Sequence, residues 1–259
     1  MSSDQFKSDN INPEDLIGKD LQYLMRYKKS DKDNELFAYI DSWVSIEYDS
    51  SILDVPENKI FGTHLCAFVF VNCKKPIKGS VTAIPGVKGE VKCRNVFWMV
   101  KDSEGSFVKT KSILDDEEFH WWFYNYDTLC KFNFELIEQE EVLILGLPDP
   151  PEICDNLSSA EQKNFRTNKA LHPYRKTGHP DYIKVFFIYP DHKVDTLKIP
   201  GEIMWVFYEK DFAPGKYLGR LRNNAHHCSL KEGDQVEFSH VEIDGEFYPR
   251  SWSALPLLN

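Results

Sequence analysis

The sequence predicts an α+β fold built from two β-rich domains. The chain has 259 residues, of which 42% are hydrophobic and 28% charged, the balance of a folded globular protein. Most of its apolar segments are short, rich in β-branched and aromatic residues, and bounded by Gly, Pro, Asn or Asp, as strands are. A proline-rich stretch and a helix start near the middle of the chain divide the strands into two groups.

Residues 1–147 form the predicted N-terminal domain. It opens with a weakly amphipathic stretch after Pro13, which suits a first helical turn. Alternating apolar segments then predict antiparallel strands over residues 36–48, 60–71, 89–100 and 105–114. Residues 115–141 follow, with acids first and aromatics in clumps, and this pattern fits either a helix or a pair of strands.

The predicted linker contains Pro148, Pro150 and Pro151, and the predicted C-terminal domain covers residues 156–259. Ser158 and Glu161 have the spacing of a capping box, so a helix is expected from there to about residue 170. Short strands with Pro and Gly turns follow, over residues 182–190, 195–212, 216–223 and 234–243. We therefore expect a helix plus a small bent antiparallel sheet or barrel.

The six cysteines predict buried thiols rather than disulfides or a metal centre. A chain of this length can bury a core without covalent staples, and Cys66 and Cys93 lie in apolar strand segments. The groups His226, His227 and Cys228 lack the spacing that places two zinc ligands on one turn. We expect no metal site.

No segment has a motif typical of catalysis or of cofactor binding. The chain lacks a nucleophile elbow, a phosphate-binding P-loop and a dinucleotide-binding glycine pattern. The sequence therefore predicts a protein that is not an enzyme and needs no cofactor. A basic cluster is formed by Arg166, Lys169, Arg175 and Lys176. It could hold a phosphate or a carboxylate, but the favoured interpretation is that it docks on the acidic half of the same chain.

The formal net charge of −10 narrows the classes of partner. Such a chain repels phosphate backbones and anionic lipid headgroups, so we expect neither nucleic-acid nor membrane-surface binding. The N-terminus is polar and acidic, unlike a signal peptide, and no apolar run approaches the roughly 18 residues of a membrane span. We expect a cytoplasmic protein with a basic protein partner.

The charge is concentrated in one segment. Residues 115–155 hold twelve acidic residues and one lysine, which accounts for the whole negative charge of the chain. Aromatic residues within it make the segment a candidate surface for a basic partner, because aromatic anchors among carboxylates are a common way to bind one. The alternative is a solvated acidic face over a core of aromatics. The candidate partner-binding residues are Asp115, Asp116, Glu117, Glu118, Trp121, Trp122, Tyr124, Glu138, Glu140 and Glu141.

Residues 203–243 resemble a small uncharacterised family of bacterial proteins. Three pieces carry the resemblance: a Met204-Trp205 strand, a glycine-rich hairpin from Gly215 to Asn223, and the pattern Leu-Lys-x-Gly-Asp-x-Val-x-Phe from Leu230 to Phe238. These match the YegJ-like domains, while the N-terminal half resembles no family we recognise. The resemblance implies a binding or housekeeping module, and related small β-rich proteins occur in bacterial toxin and immunity pairs.

Two functions follow as hypotheses. The favoured one is a protein-binding inhibitor, an immunity protein that masks the basic active-site surface of a bacterial toxin with residues 115–141. The alternative is an enzyme or small-ligand-binding module that uses the loop of His226, His227 and Cys228.

We expect the protein to fold without metal and without disulfides, because its core is large enough and its cysteines lie at packing positions. The melting temperature should therefore be the same with and without a chelator or a reductant. Stoichiometric zinc in the purified protein, or a sharp fall in melting temperature with either reagent, would contradict this expectation.

Overall fold

A computed structural model describes residues 35–72, 89–113, 126–150, 157–188, 201–226, 228–243 and 246–251. The contacts divide the chain into two compact units. The first contains the described residues up to 168 together with 175–182, and the second contains 169–174 and the described residues from 183 onward. Both units are built mainly on sheets, so the predicted α+β fold with β-rich parts is confirmed.

The first unit is organised around a five-stranded sheet in the order β4-β3-β2-β1-β5. Each pair of neighbouring strands in this sheet is antiparallel. The strands are β1 (Ser42–Glu47), β2 (His64–Asn72), β3 (Glu90–Lys101), β4 (Phe107–Ser112) and β5 (Phe134–Leu136). The helical elements are 3₁₀ turns at Glu35–Tyr39 and Glu57–Lys59, and the helices α1 (Tyr126–Leu129), α2 (Gln139–Ile144) and α3 (Ala160–Thr167).

Both faces of this sheet are buried, because its central strands carry apolar side chains at nearly every position. One face packs beneath the first 3₁₀ turn and α1, with Phe37 and Leu129 in its core. The other packs beneath the segment around α2, with Ile137 and Leu145 in its core. Cys66 and Cys93 are both fully buried, as the sequence predicts, and burial raises the pKa of the Cys66 thiol well above its usual range. The prediction of buried thiols is wrong for Cys130, which is exposed.

The predicted first strand is shorter than expected. Residues 36–48 read as one strand, but the chain turns at Asp41, whose φ of 59° lies in the left-handed region. Residues before it form a 3₁₀ turn, and only Ser42–Glu47 pairs with β2. Residues 115–141, which fitted either a helix or strands, contain both where they are described, since α1, β5 and the start of α2 lie there.

The second unit is a small closed barrel. Its strands are β7 (His179–Ile188), β8 (Gly201–Ala213), β9 (Lys216–Leu221), β10 (Gln235–Ile243) and β11 (Glu246–Ser251), in the order β11-β10-β9-β8-β7. The last strand also pairs in parallel with the first, where Arg250 faces Phe186. The two-residue strand β6 (Arg175–Lys176) and the beginning of β7, up to Tyr182, belong to the first unit.

In the barrel, a turn at Gly233 and the burial of alternate residues agree with the sequence pattern from Leu230 to Phe238, whereas residues 189–200 lie outside the described part of the chain. Gly233 has a φ of 94°, and Leu230, Val236 and Phe238 are at most 1% exposed. Gly219 is required by close strand packing, because a Cβ there would lie 2.5 Å from the carbonyl oxygen of Phe207. The strand β11 was not predicted from the sequence.

The helix expected near residue 158 is present but begins one residue later. Ser159 is its N-cap and forms the capping box with Gln162, in place of the predicted Ser158 and Glu161. Ser158 instead donates its backbone N–H to Asp41 and accepts a hydrogen bond from Arg166. The helix packs within the first unit, whereas the sequence assigned it to a domain starting at 156. That linear division into independently folding domains stays a prediction.

Two arginines of the predicted basic cluster are interior residues. Arg166 and Asp181 form a two-point ion pair, with nitrogen-to-oxygen distances of 2.7 and 2.6 Å and side chains at most 3% exposed. Arg175, also buried, donates to the carbonyl oxygens of Phe165 and Pro180. These described partners lie outside residues 115–155, and the expected docking of the cluster on that segment stays a prediction.

Among the described residues, the longest helix is α3 with eight residues, and none has the length and apolar character needed to cross a membrane.

Replacing Arg166 with Met should destabilise the protein by about 3–5 kcal/mol, because Asp181 would be left charged and unpaired in the interior. The double variant Arg166→Met and Asp181→Leu should recover much of that loss. Lys101→Met is the control, since its ion pair with Glu135 is exposed and should contribute at most about 1 kcal/mol. Urea unfolding measures all three, and a single-variant loss no larger than that of the control would contradict the assignment.

Candidate functional site

The segment 137–147 presents apolar side chains in two directions. Ile137 and Leu145 are buried against the sheet, while Leu143 and Ile144 are 73% and 80% exposed. Helix α2 begins after Glu138, which has an extended backbone, and ends near Gly146, which has a φ of 60°. Two large aliphatic side chains are thus placed side by side in solvent on a helix of six residues.

A cleft of about 520 Å³ lies beside α2 within the first unit. Trp43 and Phe68, from neighbouring strands, line it and meet edge to face with ring centroids 5.2 Å apart. Val142, Leu143 and Leu147 add aliphatic surface. The volume falls in the range of small-molecule and side-chain pockets. The described lining residues are Asp41, Ser42, Trp43, Phe68, Leu136, Ile137, Glu138, Gln139, Val142, Leu143, Gly146, Leu147, Pro148, Asp149 and Pro150.

Carboxylates surround the exposed apolar residues. Glu138, Glu140 and Asp149 are exposed, and Glu141 is half-buried in the first turn of the helix. In the described part of the chain none of the four forms an ion pair within 4.0 Å, in contrast to Glu135, whose carboxylate is 2.7 Å from Lys101. The surface therefore keeps a negative charge that no described lysine or arginine neutralises at close range.

Asp41 gives the cleft a buried polar group. Its side chain is 2% exposed, and its Oδ2 accepts the backbone N–H of Ser158 at 2.9 Å. The ammonium of Lys163 lies 4.0 Å from the same oxygen. Its Oδ1 is fully buried and meets no hydrogen-bond donor among the described residues. A buried acceptor without a partner costs about 1–3 kcal/mol, and the left-handed backbone at this residue adds strain.

The candidate residues predicted from the sequence fall into two groups. Glu138, Glu140 and Glu141 lie together at the start of α2, beside the exposed aliphatic pair. The others lie outside the described residues: Asp115, Asp116, Glu117, Glu118, Trp121, Trp122 and Tyr124.

The second candidate site, the loop at His226, His227 and Cys228, is described in part. The backbone N–H of His226 donates to both carboxylate oxygens of Glu202 at 3.1 Å, and Cys228 is partly buried. His227 lies outside the described residues. Among the residues with a described position, no three His, Cys, Asp or Glu side chains come together as a metal site would require.

A smaller cleft of about 350 Å³ lies in the loops next to β1. Its lining is polar, and its carboxylates already have partners. Asn133 donates to Glu47, and hydrogen bonds from Ser51 lower the pKa of Asp49. With its acceptors satisfied locally, this cleft offers less to a ligand than the cleft beside α2.

Comparison of the chain with protein-family models, with curated proteins and with solved structures gives no match. The resemblance proposed for residues 203–243 therefore stays a prediction.

Sequence reasoning found the acids of α2 but missed its apolar partners and Asp41. Leu143 and Ile144 belong to an apolar run that continues from Val142 to Leu147, and such a run gives no sign of which residues face solvent. The sequence feature that could have indicated their role is that the run directly follows Glu138, Glu140 and Glu141. Asp41 had no signal, since its significance comes from its left-handed backbone and its burial.

Replacing Leu143 and Ile144 together with Ser should leave the free energy of unfolding within about 0.5 kcal/mol of the wild type, because both side chains are solvated. Leu145→Ala should cost about 2–5 kcal/mol, because Leu145 is buried against the sheet. Urea unfolding distinguishes the two. A large loss of stability in the double Ser variant would show that these residues are core.

Proposed function

We propose that this protein is a protein-binding inhibitor that recognises a basic partner through the acidic and apolar surface of α2 and its cleft. The observation that carries the proposal is the pair Leu143 and Ile144, largely exposed beside a cleft and among carboxylates that form no ion pair with a described residue. Exposed aliphatic side chains are unfavourably solvated, so covering them with a partner lowers the free energy of the complex. The ring of carboxylates restricts that partner to a basic surface.

The arrangement matches the anatomy of protein interfaces. An apolar centre supplies affinity once it is desolvated, and a charged rim supplies orientation and a fast association rate. Here Leu143, Ile144 and the cleft form the centre, and Glu138, Glu140 and Asp149 form the rim. Asp115, Asp116, Glu117, Glu118, Trp121, Trp122 and Tyr124 lie outside the described residues and stay further candidates for partner contact in this proposal.

The specific form of the proposal is a cytoplasmic bacterial immunity protein that masks the active site of a toxin. It is supported by the charge of the chain, by the absence of catalytic and cofactor motifs from its sequence, and by the resemblance of residues 203–243 to YegJ-like domains. Masking needs no catalytic residue in the inhibitor, only a complementary surface. Nuclease or other polyanion-binding toxins have basic active sites, which is why an acidic inhibitor suits them.

The alternative, an enzyme or small-ligand module at His226, His227 and Cys228, has less support. The described part of that loop contributes a backbone hydrogen bond to Glu202 and no cluster of metal-ligating or nucleophilic groups. We therefore keep the α2 surface as the basis of the proposed function.

The test starts from a partner that copurifies with the native protein, is identified by mass spectrometry, and is then purified and bound in isolation. The double variant Leu143→Ser and Ile144→Ser should accelerate dissociation and weaken binding at least tenfold, while retaining wild-type stability. Val108→Ser is the matched control, since Val108 is also exposed, at 45%, but lies on the edge strand β4. Equal loss of binding in both variants, or none in either, would overturn the proposed surface.

The charges are tested separately on the association rate. Glu138→Gln, Glu140→Gln and Glu141→Gln combined should slow association and flatten its dependence on salt, because exposed charges steer the encounter. Lysine at positions 115–118 in place of Asp115, Asp116, Glu117 and Glu118 should slow it further. Glu135→Gln is the control, since Glu135 already pairs with Lys101. Association rates that are unchanged in every variant would show that the acidic face is only solvated surface.

A further inference from the structure

The cleft beside α2 combines aromatic and aliphatic surface with one buried, half-satisfied carboxylate, and the exposed carboxylates of Glu138 and Asp149 also belong to its lining. Trp43, Phe68 and Leu147 provide aromatic and aliphatic surface, and Asp41 lines the same cleft with a side chain 2% exposed. A purely apolar occupant would leave the carboxylate as it is. A small polar occupant would gain nothing from the aromatic lining. An occupant that satisfies both features has a long apolar stem and a cationic end.

We infer that the cleft is a pocket for a single Lys or Arg side chain of the partner, with Asp41 as its acceptor. The aliphatic stem would pack along Trp43 and Leu147, as lysine and arginine stems do on apolar surfaces. The cationic end would form a charge-assisted hydrogen bond with the carboxylate of Asp41. This deepens the proposed function and rests on it, since it names the chemistry by which the basic partner is recognised.

Three observations at Asp41 support the assignment. Its Oδ1 is buried and has no donor among the described residues, so a hydrogen bond there is still to be made. Its nearest described cation, Lys163, lies at 4.0 Å and half of its side chain is exposed, so the carboxylate is not neutralised at contact distance. Its backbone has a φ of 59°, and strained residues of this kind cluster at ligand-binding positions.

The geometry also specifies what must move. Oδ1 is closed to solvent, so the carboxylate has to turn toward the cleft to accept a hydrogen bond from the occupant. That rotation disturbs the bond from the Ser158 N–H to Oδ2, which measures 2.9 Å. The backbone amide of Ser158 therefore reports engagement of Asp41, whereas a ligand that only covers Trp43 would leave it unchanged.

The experiment uses the full chain and three small probes, Nα-acetyl-lysine amide, Nα-acetyl-arginine amide and the neutral Nα-acetyl-norleucine amide. Amide and indole N–H resonances are followed by NMR during titration. The two cationic amides should shift the Trp43 indole and the Ser158 amide with saturation in the millimolar range, where one weak contact is expected. The norleucine amide should bind at least tenfold more weakly, because it lacks the charge.

Two variants test the pocket. Asp41→Asn retains the shape and tolerates the left-handed backbone. It should lower the preference for the cationic amides to about the weak, salt-screened contribution of the exposed Glu138 and Asp149 in the same cleft. Glu135→Gln, outside the cleft, should behave as the wild type. Gln139→Trp changes an exposed residue at the cleft mouth and should weaken all binding there even if the Asp41 variant folds poorly.

Equal affinity for the norleucine amide, a preference for the cationic amides that Asp41→Asn leaves unchanged, binding that Gln139→Trp does not weaken, or no saturable shift by about 50 mM would overturn the inference. The outcome is separable from that of the proposed function. If Leu143→Ser and Ile144→Ser weaken partner binding while Asp41→Asn does not, the function stands and the pocket assignment fails. If the amides bind as expected and no basic partner is found, the pocket stands and the function fails.

Discussion

The buried ion pair between Arg166 and Asp181 is the interaction on which the first unit depends. It joins helix α3 to the beginning of β7, two segments that residues 168–178 separate in the chain. Arg166 also donates to Ser158, whose backbone N–H donates to Asp41 at the start of β1. A polar chain therefore runs from β7 through α3 to the sheet. Its desolvation is offset only while every member keeps its partners, which makes the arrangement specific to one geometry.

The same network explains why Asp41 is held where it is. Asp41 donates its backbone N–H to Val69 and accepts from Ser158 through its side chain, so both its backbone and its carboxylate are fixed. A left-handed residue persists only where its surroundings determine its conformation, and here they do. That order leaves one carboxylate oxygen of Asp41 without a hydrogen-bond donor among the described residues, at the side of a cleft. Structural support for α3 and a functional acceptor for the cleft are therefore properties of the same residue.

The surface of α2 depends on the packing below it. Ile137 and Leu145 pack against the sheet near the two ends of the segment, with Val142 partly buried between them, and this packing leaves Leu143 and Ile144 facing solvent. Helix α2 has only six residues, and the face that packs on the sheet does not include Leu143 and Ile144. Its carboxylates lie in the first turn, where they also interact favourably with the helix dipole, so the acidic rim is compatible with stability. A basic partner would cover the aliphatic pair without competing against an internal ion pair.

Local patterns in the sequence determined much of this protein. Alternation and turn residues predicted most of the strands, the inward positions of Val236 and Phe238, and the burial of Cys66 and Cys93, because periodicity and β-branched composition are set residue by residue. The acidic composition of α2 was equally visible. The tertiary structure decided which residues of the run from Val142 to Leu147 face solvent, that β11 pairs with β7 and closes the barrel, and that Ser159 rather than Ser158 caps α3. Each of these depends on contacts between residues far apart in the chain. Ser158 is an equally good cap by composition, and it is withdrawn from that role only because Asp41 and Arg166, brought to it by the fold, take its backbone N–H and its hydroxyl.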